Sequence, residues 1–162
     1  MRATFEELTD IRERHQDERI VYANGVFDLL HEGHLSFLEL AKSLGEVAVI
    51  GILPDVRVKA GKGPSRPVQP EATRLAVVSA LKSVDYALVT PVNPKPYQYT
   101  GHQIIDRLRP DVFVTGYDGW RDSEKWLSER GTELVVVPRL NNGVSTTSLL
   151  KGYTSRLSDD HP

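Results

Sequence analysis

The sequence has no cysteine, and that single absence removes three kinds of chemistry. Disulfide frameworks, thiol nucleophiles and thiolate metal sites are all excluded. No apolar run approaches the roughly 20 residues needed to cross a bilayer, so no membrane partner is expected. An excess of one charge is missing too. Against 20 Lys and Arg stand 22 Asp and Glu, a net charge of −2, which gives no electrostatic case for binding nucleic acid. Residues 1–19 are polar and charged and lack a signal-peptide pattern, so a cytoplasmic location is expected. Internal repeats and linker-like stretches are also absent.

What is present suits one globular domain. The 162 residues are 40% hydrophobic and 26% charged, enough for a proper core but not for two domains. A short helix is expected over 4–16, with Phe5, Leu8 and Ile11 at helical spacing. Strands are expected at 20–23, 46–52, 85–89, 111–115 and 133–137. Helices are expected from 34 or 35 to 44, over 70–82 and 101–108, from 122 or 123 to 130, and from 145 or 146 to about 152. Residues 54–67, rich in Pro, Gly, Lys and Arg, read as a loop, as do 91–99, 116–120 and 138–144. Strands and helices therefore alternate five times. The fold class expected is α/β: a Rossmann-like, doubly wound, parallel five-stranded sheet in a single domain. Residues 1–19 would be a helical extension, 20–152 the main domain and 153–162 a frayed tail.

The chain is organised around Asn24-Gly25-Val26-Phe27-Asp28-Leu29-Leu30-His31-Glu32-Gly33-His34. It lies where the first strand hands over to a helix, and open α/β sheets bind ligands at the carboxyl ends of their strands. A helix N-terminus offers unpaired N–H groups and partial positive charge, which suits phosphate. Gly33 lets a phosphate approach the backbone, and His31 and His34 can add donors. Capping or simple surface roles are the plain alternative for the histidines. Zinc fits poorly, because helical metal pairs are spaced i, i+4 and no cysteine completes a set.

Three further clusters fall on the same predicted sheet edge. Arg57, Lys59, Lys62 and Arg66, with Gly61 and Gly63, form a cationic stretch that could close over phosphates or simply be a solvated surface. Arg74, three residues after Glu71, is either a phosphate clamp or half of a helix-surface ion pair. Asn142-Gly143-Val144-Ser145-Thr146-Thr147, with Arg139 upstream, looks like a second anion cradle, or a plain helix cap. Gly116, Tyr117, Asp118 and Trp120 make a fourth group, in which Gly116 could read base edges and Trp120 either stacks on a ligand or packs.

The stretch Gly25 to His34 resembles the signature of the nucleotidyltransferase superfamily that includes cytidylyltransferases and sugar-phosphate adenylyltransferases. The resemblance extends to Arg66-Pro67 with Glu71-Ala72-Thr73-Arg74, to Pro110 through Gly116, and to Gly143 through Thr147. It implies attack by an acceptor phosphate oxygen on the α-phosphorus of a nucleoside triphosphate, with pyrophosphate leaving. It implies that His31, His34, Lys59, Lys62 and Arg74 act on the triphosphate. Gly25, Val26, Phe27, Asp28, Gly33, Gly116, Asp118, Arg139, Gly143, Ser145, Thr146 and Thr147 would surround the nucleotide, and Arg66 and Trp120 the acceptor. Asp28 could orient a histidine or hold Mg²⁺, the cofactor the family commonly uses, or shape a turn. A homodimer is implied as well.

Two branches compete. Ser65-Arg66-Pro67-Val68 and Ala80-Leu81-Lys82-Ser83-Val84-Asp85 are similar to heptose 1-phosphate adenylyltransferases, which usually carry a lysine where Thr115 stands. Gly143 to Thr147 resembles CTP-dependent glycerol-phosphate, alcohol-phosphate and phosphonate cytidylyltransferases equally well. The expectation is a sugar-phosphate adenylyltransferase, with the CTP-dependent reaction as the alternative and a non-catalytic nucleotide-binding module as a remote one.

Overall fold

Five apolar segments form the strands β1 (Ile20–Gly25), β2 (Val47–Ile52), β3 (Tyr86–Val89), β4 (Val112–Thr115) and β5 (Glu133–Val136). In this computed structural model, which describes residues 1–92 and 100–137, they make one parallel sheet in the order β3-β2-β1-β4-β5. Every residue of β2 is buried, as an unbroken apolar run between two neighbours and two helix layers requires. Among the described residues the helices are α1 (Leu8–Arg14), α2 (Glu32–Ser43), α3 (Asp55–Lys62), α4 (Glu71–Val78), α5 (Thr100–Leu108) and α6 (Glu124–Ser128). A 3-10 helix, Asp118–Ser123, leads into α6.

Strand alternation divides the core in two. Ile20, Tyr22, Val49, Leu88 and Phe113 pack with Leu8 and Ile11 of α1, Ile104 and Leu108 of α5 and Leu127 of α6. Val21, Ala23, Ile50 and Val114 face the other way, onto Leu38 and Ala41 of α2 and Val78 of α4. The sheet is doubly wound, as expected. Within residues 1–19 the helix covers Leu8–Arg14, and Leu8 is fully buried and Ile11 nearly so. Ahead of that helix, Arg2 bridges Ala87 at the β3 edge.

The amino edge of the sheet is sealed twice by one device. Asp85, just before β3, accepts the Ala48 N–H at 2.7 Å and pairs with Lys42 at 2.6 Å. Asp111, just before β4, accepts the Ile20 N–H at 2.7 Å and pairs with Arg12 at 3.1 Å. Each carboxylate satisfies an amide at the start of a strand that would otherwise be left unpaired.

Two boundaries differ instructively from the sequence expectations. Residues 54–67 are not one loop, because Asp55–Lys62 is helical. Only Val58 of that helix is buried, so no apolar stripe announces it. Its ends carry the signal: Pro54 at the N-cap, Asp55 in the first turn and Gly63 at φ 92. The Asp55 N–H also donates to Glu71 Oε2 at 2.7 Å, a cap supplied by α4. The helix α2 begins earlier than expected, with His31 as its N-cap.

Gly45 follows α2, but contact is what demands glycine there. A Cβ at this position would lie 2.5 Å from the Arg19 carbonyl oxygen and 2.7 Å from Val21 Cγ2. Gly45→Ala is therefore expected to destabilise the fold by about 1–3 kcal/mol, as overpacking does. Urea denaturation of the two proteins measures it.

Candidate active site

The order β3-β2-β1-β4-β5 reverses direction beside β1, so the crevice between the carboxyl ends of β1 and β4 is the topological switch point. The segment leaving β1 there is contorted. Phe27 and Leu29 hold φ values of 50° and 47°, a left-handed conformation costing roughly 1–3 kcal/mol for each such residue. The Phe27 side chain is buried and meets His34 edge-on at 5.5 Å, which leaves only its backbone for a nucleotide. Gly25 makes room for this fold-back, since a Cβ there would fall 2.8 Å from Phe27 Cζ.

Asp28 holds the contortion in place. It is 1% exposed. Its Oδ2 accepts the Val68 N–H at 2.9 Å and its Oδ1 the Gln69 N–H at 3.0 Å. Arg66 Nη2 lies 3.2 Å from Oδ2, and the Leu29 N–H donates to Gln69 Oε1 at 3.2 Å. Of the three roles open to Asp28, the geometry supports the structural one. Both carboxylate oxygens are engaged by the Val68–Gln69 backbone. Among the described residues no cluster of three or more His, Asp or Glu could hold a metal ion.

His31 and His34 stack on each other, ring centroids 3.8 Å apart, at the first turn of α2. A Cβ on Gly33 would sit 3.2 Å from the His31 ring. Both Nδ1 atoms are buried without a hydrogen-bond partner. Burial lowers the His34 pKa to about 4, aided by the charges of His31 and Lys62 and opposed by Asp28. Burial also lowers that of His31, against the pull of Glu32. At neutral pH the pair is uncharged, two rings with nitrogen positions to spare, beside the ammonium of Lys62. The two Nδ1 atoms have no competing partner.

Lys62 ends α3, so the cations expected on a mobile loop ride a helix. Arg57 and Lys59 are exposed on that same helix. Arg74 departs furthest from its expected role. It is fully buried, and its guanidinium donates to Val26 O, Leu53 O at 2.8 Å, Gln69 O at 3.0 Å and Asp55 Oδ1 at 2.7 Å. It joins the segments that leave β1 and β2 to the starts of α3 and α4. Arg74 is thus neither a surface ion pair with Glu71 nor a side chain open to phosphate.

Trp120 lies in a packed setting. It packs against the core on the α1/α5 side of the sheet, 4.7 Å from the Phe113 ring and 5.2 Å from His102. A Cβ on Gly101 would lie 2.5 Å from its ring. The indole is partly buried in these packing contacts. Gly116 is exposed at the end of β4, across the crevice, and Asp118 is exposed beyond it, near Arg121 at 3.4 Å. Arg139, Gly143, Ser145, Thr146 and Thr147 lie outside the described residues. Sequence reasoning missed Gln69 and Asp55, whose roles depend on partners far along the chain.

Comparison with known proteins gives this geometry a family. The cytidylyltransferase-like family model matches residues 22–152. The chain is 44% identical over 113 residues to the bifunctional protein HldE of Methylobacillus flagellatus, covering 67% of this chain and 21% of that protein. It is 34% identical over 164 residues to the HldE of Campylobacter concisus, covering 97% of this chain and 32% of that protein. The chain thus spans about a fifth to a third of these relatives' length. Among solved structures, a lipopolysaccharide core biosynthesis protein from Thermoplasma volcanium superposes with a TM-score of 0.61 at 26% identity, covering 76% of this chain and 99% of that one. Pantothenate synthetase from Thermus thermophilus shares the fold, with a TM-score of 0.63 at 16% identity, covering 93% of this chain and 70% of that one. The paired histidines at a helix start beside the switch point make this edge a candidate anion site. The chain belongs to the cytidylyltransferase-like family and is by class a nucleotidyltransferase. No helix among the described residues is long and apolar enough to cross a membrane.

Two measurements check the site's physics. Because folding lowers the His34 pKa, the unfolded chain binds the extra proton between pH 6.5 and about 4. Stability should therefore fall as pH drops through that window, and His34→Gln should flatten the slope in denaturation midpoints. Arg74→Met strands three carbonyls and the Asp55 carboxylate, and should cost about 3–5 kcal/mol by chemical denaturation. Arg74→Lys should not restore the loss, since one ammonium cannot span the fork.

Proposed function

We propose that the chain transfers a nucleoside monophosphate from an NTP to a small phosphorylated acceptor, and that ATP and a sugar phosphate of the heptose 1-phosphate kind are its substrates. The observation that carries the transfer is the stacked, unpartnered His31–His34 pair on the first turn of α2, next to Lys62. In the reaction an acceptor phosphate oxygen bonds to the α-phosphorus. The bridging bond to the β-phosphate breaks, and pyrophosphate departs with its electron pair. No side-chain nucleophile is needed. The protein's task is to align two anions and stabilise spreading charge. Neutral imidazoles that hydrogen-bond the phosphoryl oxygens do so most strongly as that charge grows. Mg²⁺, which the family resemblance implies, would be carried largely on the triphosphate oxygens, as this ion usually is.

The sugar-phosphate assignment is supported by the HldE relatives, by the lipopolysaccharide core biosynthesis protein and by the resemblance at Ser65 to Val68. One observation favours a second reading, a CTP-dependent enzyme for glycerol phosphate or a similar alcohol phosphate. Thr115 stands where heptose-type adenylyltransferases usually carry lysine. A homodimer belongs to either reading, on the family resemblance.

The test pairs each NTP, with Mg²⁺, against a panel of sugar 1-phosphates and alcohol phosphates and measures pyrophosphate. ATP with a sugar 1-phosphate should turn over fastest. Silence with every pair would reject the proposal. In the active pair His34→Ala should lower kcat about 10²–10³-fold while the KM for the NTP moves little. A raised KM at unchanged kcat would assign the ring to ground-state binding alone.

A further inference from the structure

The chain leaves β1 and β4 toward opposite faces of the sheet. From β1 it enters α2, whose Leu38 and Ala41 pack with Ala23, Ile50 and Val114. From β4 it enters the 3-10 helix and then α6, whose Leu127 packs with Tyr22, Val49 and Phe113. The crevice opens between these two exits. The strands are neighbours, with Ala23 beside Val114, so one strand spacing of roughly 4.8 Å separates the two walls at their base. A ligand whose phosphates meet the head of α2 therefore extends to the end of β4.

The two walls differ in character. On the α2 and α3 side stand His31, His34 and the cations Arg57, Lys59 and Lys62, outnumbering the exposed Glu32. On the β4 side stand Tyr117, Asp118 and Arg121. The last two face each other at 3.4 Å, so together they carry no net charge to draw phosphate. What this wall does present is a ring. Tyr117 is 67% exposed, and among the described residues it is the one Phe, Tyr or Trp that stands exposed.

The ring is also placed. Tyr117 is the N-cap of the 3-10 helix, in an extended conformation at φ −119° and ψ 115°. Its N–H donates to Thr115 Oγ1 at 3.1 Å, and Thr115 is buried. A Cβ on Gly119 would lie 2.3 Å from Tyr117 Cε1 and 2.5 Å from Cζ, so the phenol rests on the backbone of its own turn. Glycine at 119 makes room for the inner side of the ring, and the rest is left to solvent. Thr115, where heptose-type adenylyltransferases usually carry lysine, thus spends its hydroxyl on the loop that presents an aromatic.

We propose that Tyr117 is the platform on which the nucleobase stacks. The inference rests on the transfer reaction proposed above and divides its nucleotide between the two walls. Polyphosphate lies against the histidines and Lys62, and the base lies against the tyrosine. An aromatic face attracts any base, because every base has a π-face of its own. A ring already resting on its turn loses little freedom when a ligand settles on it.

The experiment measures binding by calorimetry, with Mg²⁺, of non-hydrolysable ATP and CTP analogues and of inorganic tripolyphosphate, which has no base. Tyr117→Ala should weaken the better-binding analogue about 10-fold or more and leave tripolyphosphate unchanged. Tyr117→Phe should keep the wild-type affinity, and Tyr117→Leu, apolar but not aromatic, should not. Melting temperatures should match the wild type, since the side chain is exposed. Equal weakening of both probes by Tyr117→Ala, no weakening of the analogue, or full affinity in Tyr117→Leu would overturn the proposal. Loss of folding in both the Ala and Leu variants would make the ring structural and overturn it too. The readout needs no turnover. A wild type that binds an analogue but releases no pyrophosphate with any NTP and acceptor fails the transfer proposal alone, and one that binds neither analogue fails both.

Discussion

The candidate site depends on one buried guanidinium. Arg74 reaches the chain where it leaves β1, where it leaves β2, and where α3 and α4 begin. A charge with no exposure must be compensated from all sides, and three carbonyls with one carboxylate do so. The cost of burying it is offset by rigidity where two strands and two helices must hold a fixed relation. Asp28 repeats the principle with opposite sign, clamping the Val68–Gln69 backbone to the contorted segment after β1. The two ions keep Phe27 and Leu29 in a conformation neither side chain favours, and that conformation delivers His31 to the head of α2.

The crevice gains its chemistry from what this scaffold leaves unfinished. The Nδ1 atoms of the two imidazoles are buried without partners, and the lowered pKa values keep the rings neutral at rest. Lys62 adds fixed positive charge from the end of α3.

Much of the architecture was legible because burial writes itself into residue type. All five strands were found within a residue or two, and the parallel order followed from their alternation with helices. The histidine motif was legible because its position, after a strand and before a helix, carries the physics. Three features resisted. The helix α3 has one buried residue and therefore no period to detect, although Pro54 and Gly63 mark its ends. Arg74 lies at ion-pair spacing from Glu71, and nothing local says that both residues instead meet Asp55, 16 to 19 positions earlier. Trp120 was ambiguous by nature, since an indole suits a base or a core equally. Long-range partners decided each case, and one-dimensional pattern holds no record of them.

The helical state of α3 changes what ligand capture must cost. Side chains scattered on a floppy segment would have to be ordered when a polyphosphate arrives, and that ordering would be subtracted from affinity. Here the backbone under Arg57, Lys59 and Lys62 is set when the chain folds, anchored by Val58 and by the carboxylate of Glu71. Only side-chain rotamers remain to be frozen at the moment of encounter, so more of the electrostatic attraction survives as grip.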